Sequence, residues 1–351
     1  MTDPVYFSKP GVVCAAGSSA DALWRSCVTG DQSGIKKIRS LSGKEFFAGR
    51  ADDAVLRKTS ARLDMRSIRI EDAALVQIER EIFGALSEYG ASRVAVCVGS
   101  CDNGTELSLP AHAAFVSDGA FPAGYALEMQ GADYVATYIA EKYGISGPAL
   151  AFSTACSSSA GAIIKAAELL KSGFADAVIA GGVDVTSDTV LLGFDSLEAV
   201  SPCITNPLSA NRCGITLGEG AAFFVMTRDA PKDDMLVSLL GWGESADAYH
   251  MTSPDPSGAG AFRAMKTALI RAELAPDQID YINLHGTGTK FNDAMEAKAV
   301  AEVFADCAVS VGSTKPLTGH TLGAAGALEA AICYTALVEN AGKAEDDIVL
   351  P

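Results

Sequence analysis

Phe152-Ser153-Thr154-Ala155-Cys156-Ser157-Ser158-Ser159-Ala160-Gly161 closes an apolar, strand-like run and opens an Ala-rich helix. A strand that passes through a tight polar turn into a helix is the building unit of α/β layers. Cys156 sits at the junction. A thiol at a helix N-terminus meets the positive end of the helix dipole and free backbone N–H groups, both of which favour the thiolate. The small neighbours Ala155, Ser157 and Ser158 leave room for an acyl group. A buried capping cysteine would carry the same local sequence, and this segment alone leaves the two readings level.

The alternation spreads outward in both directions. Nearly continuous apolar runs predict strands at 93–99, 177–181, 221–227, 281–285 and 309–313, as expected where helices cover both faces of a sheet. Longer stretches predict helices at 70–89, 125–142, 157–172, 261–272, 293–304 and 324–337. The strands fall into groups before and after residue 230. Two α/β halves follow, 1–230 with the cysteine and 231–351 with the polar loops described below.

Composition narrows the function. The 351 residues are 49% hydrophobic and 20% charged, with a formal net charge of −16. Such an acidic balance argues against a nucleic-acid partner, which needs clustered Lys and Arg. The windows 220–226 and 323–337 are too short or too interrupted to span a bilayer. No basic segment followed by an apolar one opens the chain, so a cytoplasmic protein is expected. Nine cysteines contain no Cys-x-x-Cys pair, and neither a zinc ribbon nor a redox dithiol is suggested.

Two further segments place reactive side chains at the ends of strands. Ile282-Asn283-Leu284-His285-Gly286-Thr287-Gly288-Thr289 ends an apolar run at His285 and leads to a helix with Asp293 and Glu296. Gly312-Ser313-Thr314-Lys315-Pro316-Leu317-Thr318-Gly319-His320 sets Lys315 and His320 in a loop before a helix that carries Glu329. The chain has four histidines, and two of them occupy these matched positions.

Together these segments resemble the β-ketoacyl-acyl carrier protein synthases of the elongating Cys-His-His type. The stretches 195–202, 218–222 and 246–256 match as well. The resemblance implies a thiolase-like fold of two similar α/β halves, layered αβαβα. It implies that Cys156 accepts an acyl chain, that His285 and His320 hydrogen-bond the malonyl thioester carbonyl, and that Lys315 tunes the site. Asp293, Glu296 and Glu329 match acidic positions of the family with a supporting role. No metal or other cofactor is implied, because substrates ride on the phosphopantetheine arm of an acyl carrier protein. The family pattern continues with a final strand and a Gly-Phe-Gly-Gly loop that this sequence does not contain. In the family that loop's backbone N–H joins the N–H of Cys156 as oxyanion hole.

Partners follow from the same resemblance. A homodimer, or a heterodimer with a related ketosynthase or chain-length factor, is expected through the strand at 177–181. The basic run Arg57, Lys58, Arg62, Arg66 and Arg69 is expected to dock an acidic carrier protein. A chain-length-factor-like subunit with little activity of its own is the alternative, against which stand the intact Cys156 and both histidines. A cysteine hydrolase would leave the second histidine and Lys315 unused.

Overall fold

The computed structural model describes residues 4–60, 62–102, 104–230, 237–305 and 307–351. The expected boundary after residue 230 abuts 231–236, which lie outside the described residues.

A seven-stranded mixed sheet forms the centre. Its middle strand, Ala177–Asp184, runs parallel to Val94–Gly99 on one side and antiparallel to Gly220–Thr227 on the other. Every residue of all three strands is buried apart from Thr227, which explains the unbroken apolar runs. Ala149–Phe152 closes one edge against Val94–Gly99. At the other edge Val5–Phe7 and Gly11–Cys14 share Gly220–Thr227, and Val237–Leu239 adds to Val5–Phe7. The strand that follows residue 230 thus joins the sheet of the first half. The second half keeps a parallel pair of its own, Tyr281–Asn283 with Ser310–Gly312.

Helices cover both faces. On one face Ala20–Thr29, Ser158–Lys171 and Ala325–Asn340 bury Leu23, Ala166, Leu170, Leu328 and Ile332 in one core. On the other, Arg66–Leu75, Glu79–Tyr89 and Tyr134–Tyr143 bury Ile68, Leu75, Ile82 and Ile139. Residues 322–340 have the length and apolarity of a membrane span, but half of that window is buried against the rest of the chain.

Several expected elements shift. The helix expected at 70–89 is interrupted by a 3-10 turn at Val76–Ile78. There the Gln77 amide reaches out to bond both the N–H and C=O of Val12, at 3.1 and 2.9 Å, so a polar side chain within the run ties the helix to the sheet edge. The helix expected at 125–142 begins only at Tyr134, after a short turn at Leu127–Gln130 and Gly131.

The dimer strand is also corrected. Ala177–Asp184 has hydrogen-bonded neighbours on both sides and cannot pair with another subunit. Its glycines serve the interior instead. A Cβ on Gly182 would lie 2.6 Å from the Ser159 Cβ, and one on Gly99 would lie 2.1 Å from the Ser159 N. These two positions let the nucleophile helix rest directly on the sheet. Among the described residues the seven-strand path ends at Ala149–Phe152 on one side and at Val237–Leu239 on the other.

Candidate active site

Cys156 is presented by a 3-10 turn, Ala155–Ser157, between the edge strand and the helix Ser158–Lys171. Ala155 has φ 52°, a left-handed conformation that costs a residue with a Cβ and persists only where its surroundings hold it. They do so here through the Ala155 carbonyl, which accepts from Ser158 Oγ at 2.6 Å and Cys101 Sγ at 3.0 Å. Ser158 Oγ also accepts from the Thr154 N–H at 2.9 Å.

The structure brings both predicted histidines to this thiol. His320 Nε2 lies 2.9 Å from Cys156 Sγ. The two imidazole rings meet edge to face, with centroids 5.1 Å apart. One ligand-type atom from each of Cys156, His285 and His320 falls within 4.8 Å of the others. That spacing would suit a soft cation, but the Lys315 ammonium already raises the local positive potential.

Each histidine is fixed through its backbone. The N–H groups of His285 and Gly286 donate to the two carboxylate oxygens of Glu296, at 2.6 and 2.8 Å. Asp293 accepts from Gly288 N at 3.1 Å and Leu208 N at 2.7 Å, with Arg212 Nε at 3.7 Å. Both carboxylates therefore shape the loop that carries His285, and neither is seen bonding the reacting groups. The N–H of His320 donates to Thr216 O at 2.7 Å, and its C=O accepts from Gly218 N at 2.9 Å. Lys315, 2% exposed, pairs with Glu329 at 2.5 Å.

Protonation follows from burial. Desolvation pulls His285 down to about 3, and Lys315 adds to the effect. His320 is held well below the usual imidazole range by burial, then by Lys315 and His285. Both imidazoles are neutral at physiological pH. His320 Nδ1 is buried without a hydrogen-bond partner among the described residues, so no neighbour locks its tautomer. Nε2 can accept the S–H proton or, in the other tautomer, donate.

The thiol corrects the expectation of a depressed pKa. Burial raises Cys156 to about 11, and the opposing field of Lys315 is smaller. Burial thus favours the thiol over the thiolate before substrate binds. Alkylation of Cys156 by iodoacetamide, followed on its own peptide, should therefore keep accelerating from pH 7 to pH 10. A plateau by pH 8 would show the thiolate stabilisation that the helix N-terminus suggested.

Two buried carboxylates have no place in the sequence reading of the site. Asp184, at the end of the middle strand, accepts from Ser100 Oγ, Cys101 N, Asp102 N and Gly323 N. It ties the turn before Ala325–Asn340 to the sheet, and burial raises it to about 7. Glu219 receives Arg66 at 2.6 Å and Arg50 at 3.1 Å. Both stand at the ends of apolar runs, where an acid in a buried strand calls for partners.

That pairing corrects the basic run. Arg66 is spent on Glu219 and Asp53, and Arg69 forms a two-point contact with Asp64. Arg57, Lys58 and Arg62 stay exposed, with Arg62 4.0 Å from Glu128. A cavity of about 600 Å³ between Cys14–Ser18 and Arg50–Asp53 is lined by none of the catalytic candidates.

Residues 11–231 match the model of the β-ketoacyl synthase N-terminal domain, and residues 236–342 match that of its C-terminal domain. The chain belongs to the β-ketoacyl synthase family. It is 34% identical to 3-oxoacyl-(acyl-carrier-protein) synthase 2 of Coxiella burnetii, over 94% of this chain and 84% of that protein. It is 32% identical to nodulation protein E of Rhizobium leguminosarum bv. trifolii, over 97% and 87%. Among solved structures, a ketosynthase in complex with its chain length factor from Xenorhabdus doucetiae contains a chain 36% identical. That match has a TM-score of 0.88 and covers 96% of this synthase and 85% of that chain. The thiolase-like layering expected of a β-ketoacyl synthase is thus the fold of this one.

Proposed function

We propose that this synthase condenses malonyl-acyl carrier protein with an acyl chain held on Cys156, releasing carbon dioxide and a β-ketoacyl-acyl carrier protein. The observation that carries the reading is the neutral His320 imidazole 2.9 Å from a thiol, with His285 against it.

In the loading step Cys156 Sγ attacks the acyl thioester carbonyl while its proton passes to His320 Nε2 and on to the departing pantetheine sulfur. The acyl chain is now a thioester of Cys156. In the extension step the carboxylate of the malonyl group leaves as carbon dioxide, and negative charge builds on the thioester oxygen. His285 and His320, as neutral N–H donors, face that oxygen and stabilise the enolate. The enolate carbon attacks the acyl-Cys156 carbonyl, whose oxyanion meets the Cys156 N–H. Collapse expels the Cys156 sulfur as a thiolate, which takes up a proton from solvent. Lys315 contributes a fixed positive field. Incubation with malonyl- and acyl-carrier proteins should yield the β-ketoacyl product two carbons longer. Hydrolysis of the acyl thioester without carbon–carbon bond formation would overturn the reading in favour of a hydrolase.

The partners proposed are a carrier protein and a second ketosynthase-like subunit, either another copy or a chain-length factor, paired along Ala149–Phe152. The setting proposed is the cytoplasm, in fatty acid, polyene or polyketide assembly. Docking falls to Arg57, Lys58 and Arg62, positive groups on a chain of charge −16 that would steer an acidic partner. Arg62→Glu should raise the apparent KM for acyl-carrier protein at low salt and spare small acyl thioesters. An unchanged KM would place docking elsewhere.

A further inference from the structure

Cys203 and Cys213 alone among the nine cysteines are exposed, and their sulfurs lie 3.9 Å apart. Ser201 Oγ stands between them, 3.6 Å from Cys203 Sγ and 3.3 Å from Cys213 Sγ. Ser201 is 3% exposed, and its hydroxyl accepts from the Cys203 N–H at 3.3 Å. It can donate to whichever sulfur carries negative charge. Neither cysteine takes part in the condensing site.

The loop between the two sulfurs grips the segment that carries His285. Thr205 Oγ1 donates toward the carbonyls of Gly214 and Thr287, at 2.8 and 3.0 Å. Leu208 N donates to Asp293 at 2.7 Å, and Gly214 N donates to Gly288 O at 3.0 Å.

We propose that Cys203 and Cys213 are a reversible thiol–disulfide pair, oxidised by peroxides, that staples this loop. One sulfur, as thiolate, attacks a peroxide oxygen; the O–O bond breaks, the sulfur becomes a sulfenic acid and the first water leaves. The second sulfur attacks the sulfenic sulfur, and the S–O bond breaks to release the second water. The two thiols lose two electrons and two protons in all, and one peroxide is reduced to two waters. The sulfurs must approach from 3.9 Å to about 2.05 Å, a movement that side-chain rotation on an exposed loop can supply. Closing a short loop removes freedom from the unfolded chain, so the oxidised protein should melt a few degrees higher.

Hydrogen peroxide treatment of the reduced full chain, then alkylation and peptide mapping, tests this. Trypsin cuts after Arg212, between the two cysteines, so the disulfide would hold two tryptic peptides together. The expected product is a cross-linked pair about 2 Da lighter than the sum of its reduced peptides, released by dithiothreitol. The rise in melting temperature should accompany it and be absent in Cys213→Ser. Separate sulfinic acids on Cys203 and Cys213 without a cross-link would overturn the proposal, and so would the same thermal shift in Cys213→Ser. Both readouts are mass and melting, and they hold whether or not the chain condenses acyl groups.

Discussion

His320→Ala should slow two half-reactions, whereas His285→Ala should slow one. Both imidazoles are proposed donors to the enolate oxygen, and removing one such donor costs roughly 10²–10³-fold in rate. Malonyl decarboxylation should fall by that factor in either variant. Only His320 touches the sulfur, with Nε2 2.9 Å from Sγ, and it is the neighbour placed to relay the thiol proton. Acyl loading should therefore drop about 10²-fold in His320→Ala, the size of a general acid–base contribution, and stay near the parent rate in His285→Ala. Single-turnover transfer from acyl-carrier protein reads acyl loading, and carbon dioxide release reads malonyl decarboxylation. Equal loss of both half-reactions in both variants would mean that the histidines act by holding the site together.

Lys315→Ala should be the most destabilising change in the site. The Lys315 ammonium is nearly inaccessible and pairs with Glu329 at 2.5 Å. Deleting one member of a buried pair leaves the other charge without compensation, at a cost of about 3 kcal/mol, the lower end for such pairs. The lower end applies because Glu329 can protonate. Burial already raises its pKa, and Lys315 is the chief group holding it down. Without Lys315 the folded-state pKa rises further above the unfolded value. The neutral carboxyl's contribution is then fully present below the unfolded pKa and disappears as pH rises through the folded one. Lys315→Ala should accordingly be less destabilised at pH 5 than at pH 8 in urea titrations, and Lys315→Met with Glu329→Gln should recover stability without recovering activity. A Lys315→Ala protein as stable as the parent at pH 8 would remove the structural role from this pair.

The proposed catalytic group could be picked out in the sequence because its residues lie near element ends. Cys156 and His285 follow the strands Ala149–Phe152 and Tyr281–Asn283, and His320 follows the short helix Lys315–Thr318. The middle strands were legible for a related reason, since helices on both faces demand unbroken apolar runs. Strands outside the centre of the large sheet were harder to read. Gly11–Cys14, Ile35–Arg39 and Glu45–Gly49 are short or carry charge, and nothing in their own residues separates them from loops. The dimer strand was misassigned because Gly181 and Gly182 signal a close approach without saying to what; the neighbours are Phe223 and Ser159 of the same chain. The basic run misled for a similar reason. Glu219 lies 153 residues beyond Arg66, and only folding brings them together. The thiol pKa depends on how deeply Cys156 is buried, and the raising effect of burial there exceeds the lowering effect of Lys315.

Intact-protein mass spectrometry after incubation with an acyl-carrier protein tests the central claim most directly. The account predicts one acyl adduct, located by peptide mapping on Cys156, absent from Cys156→Ala, and discharged as β-ketoacyl-carrier protein when malonyl-carrier protein is added. An adduct that persists in Cys156→Ala, or one that malonyl-carrier protein cannot discharge, would contradict it.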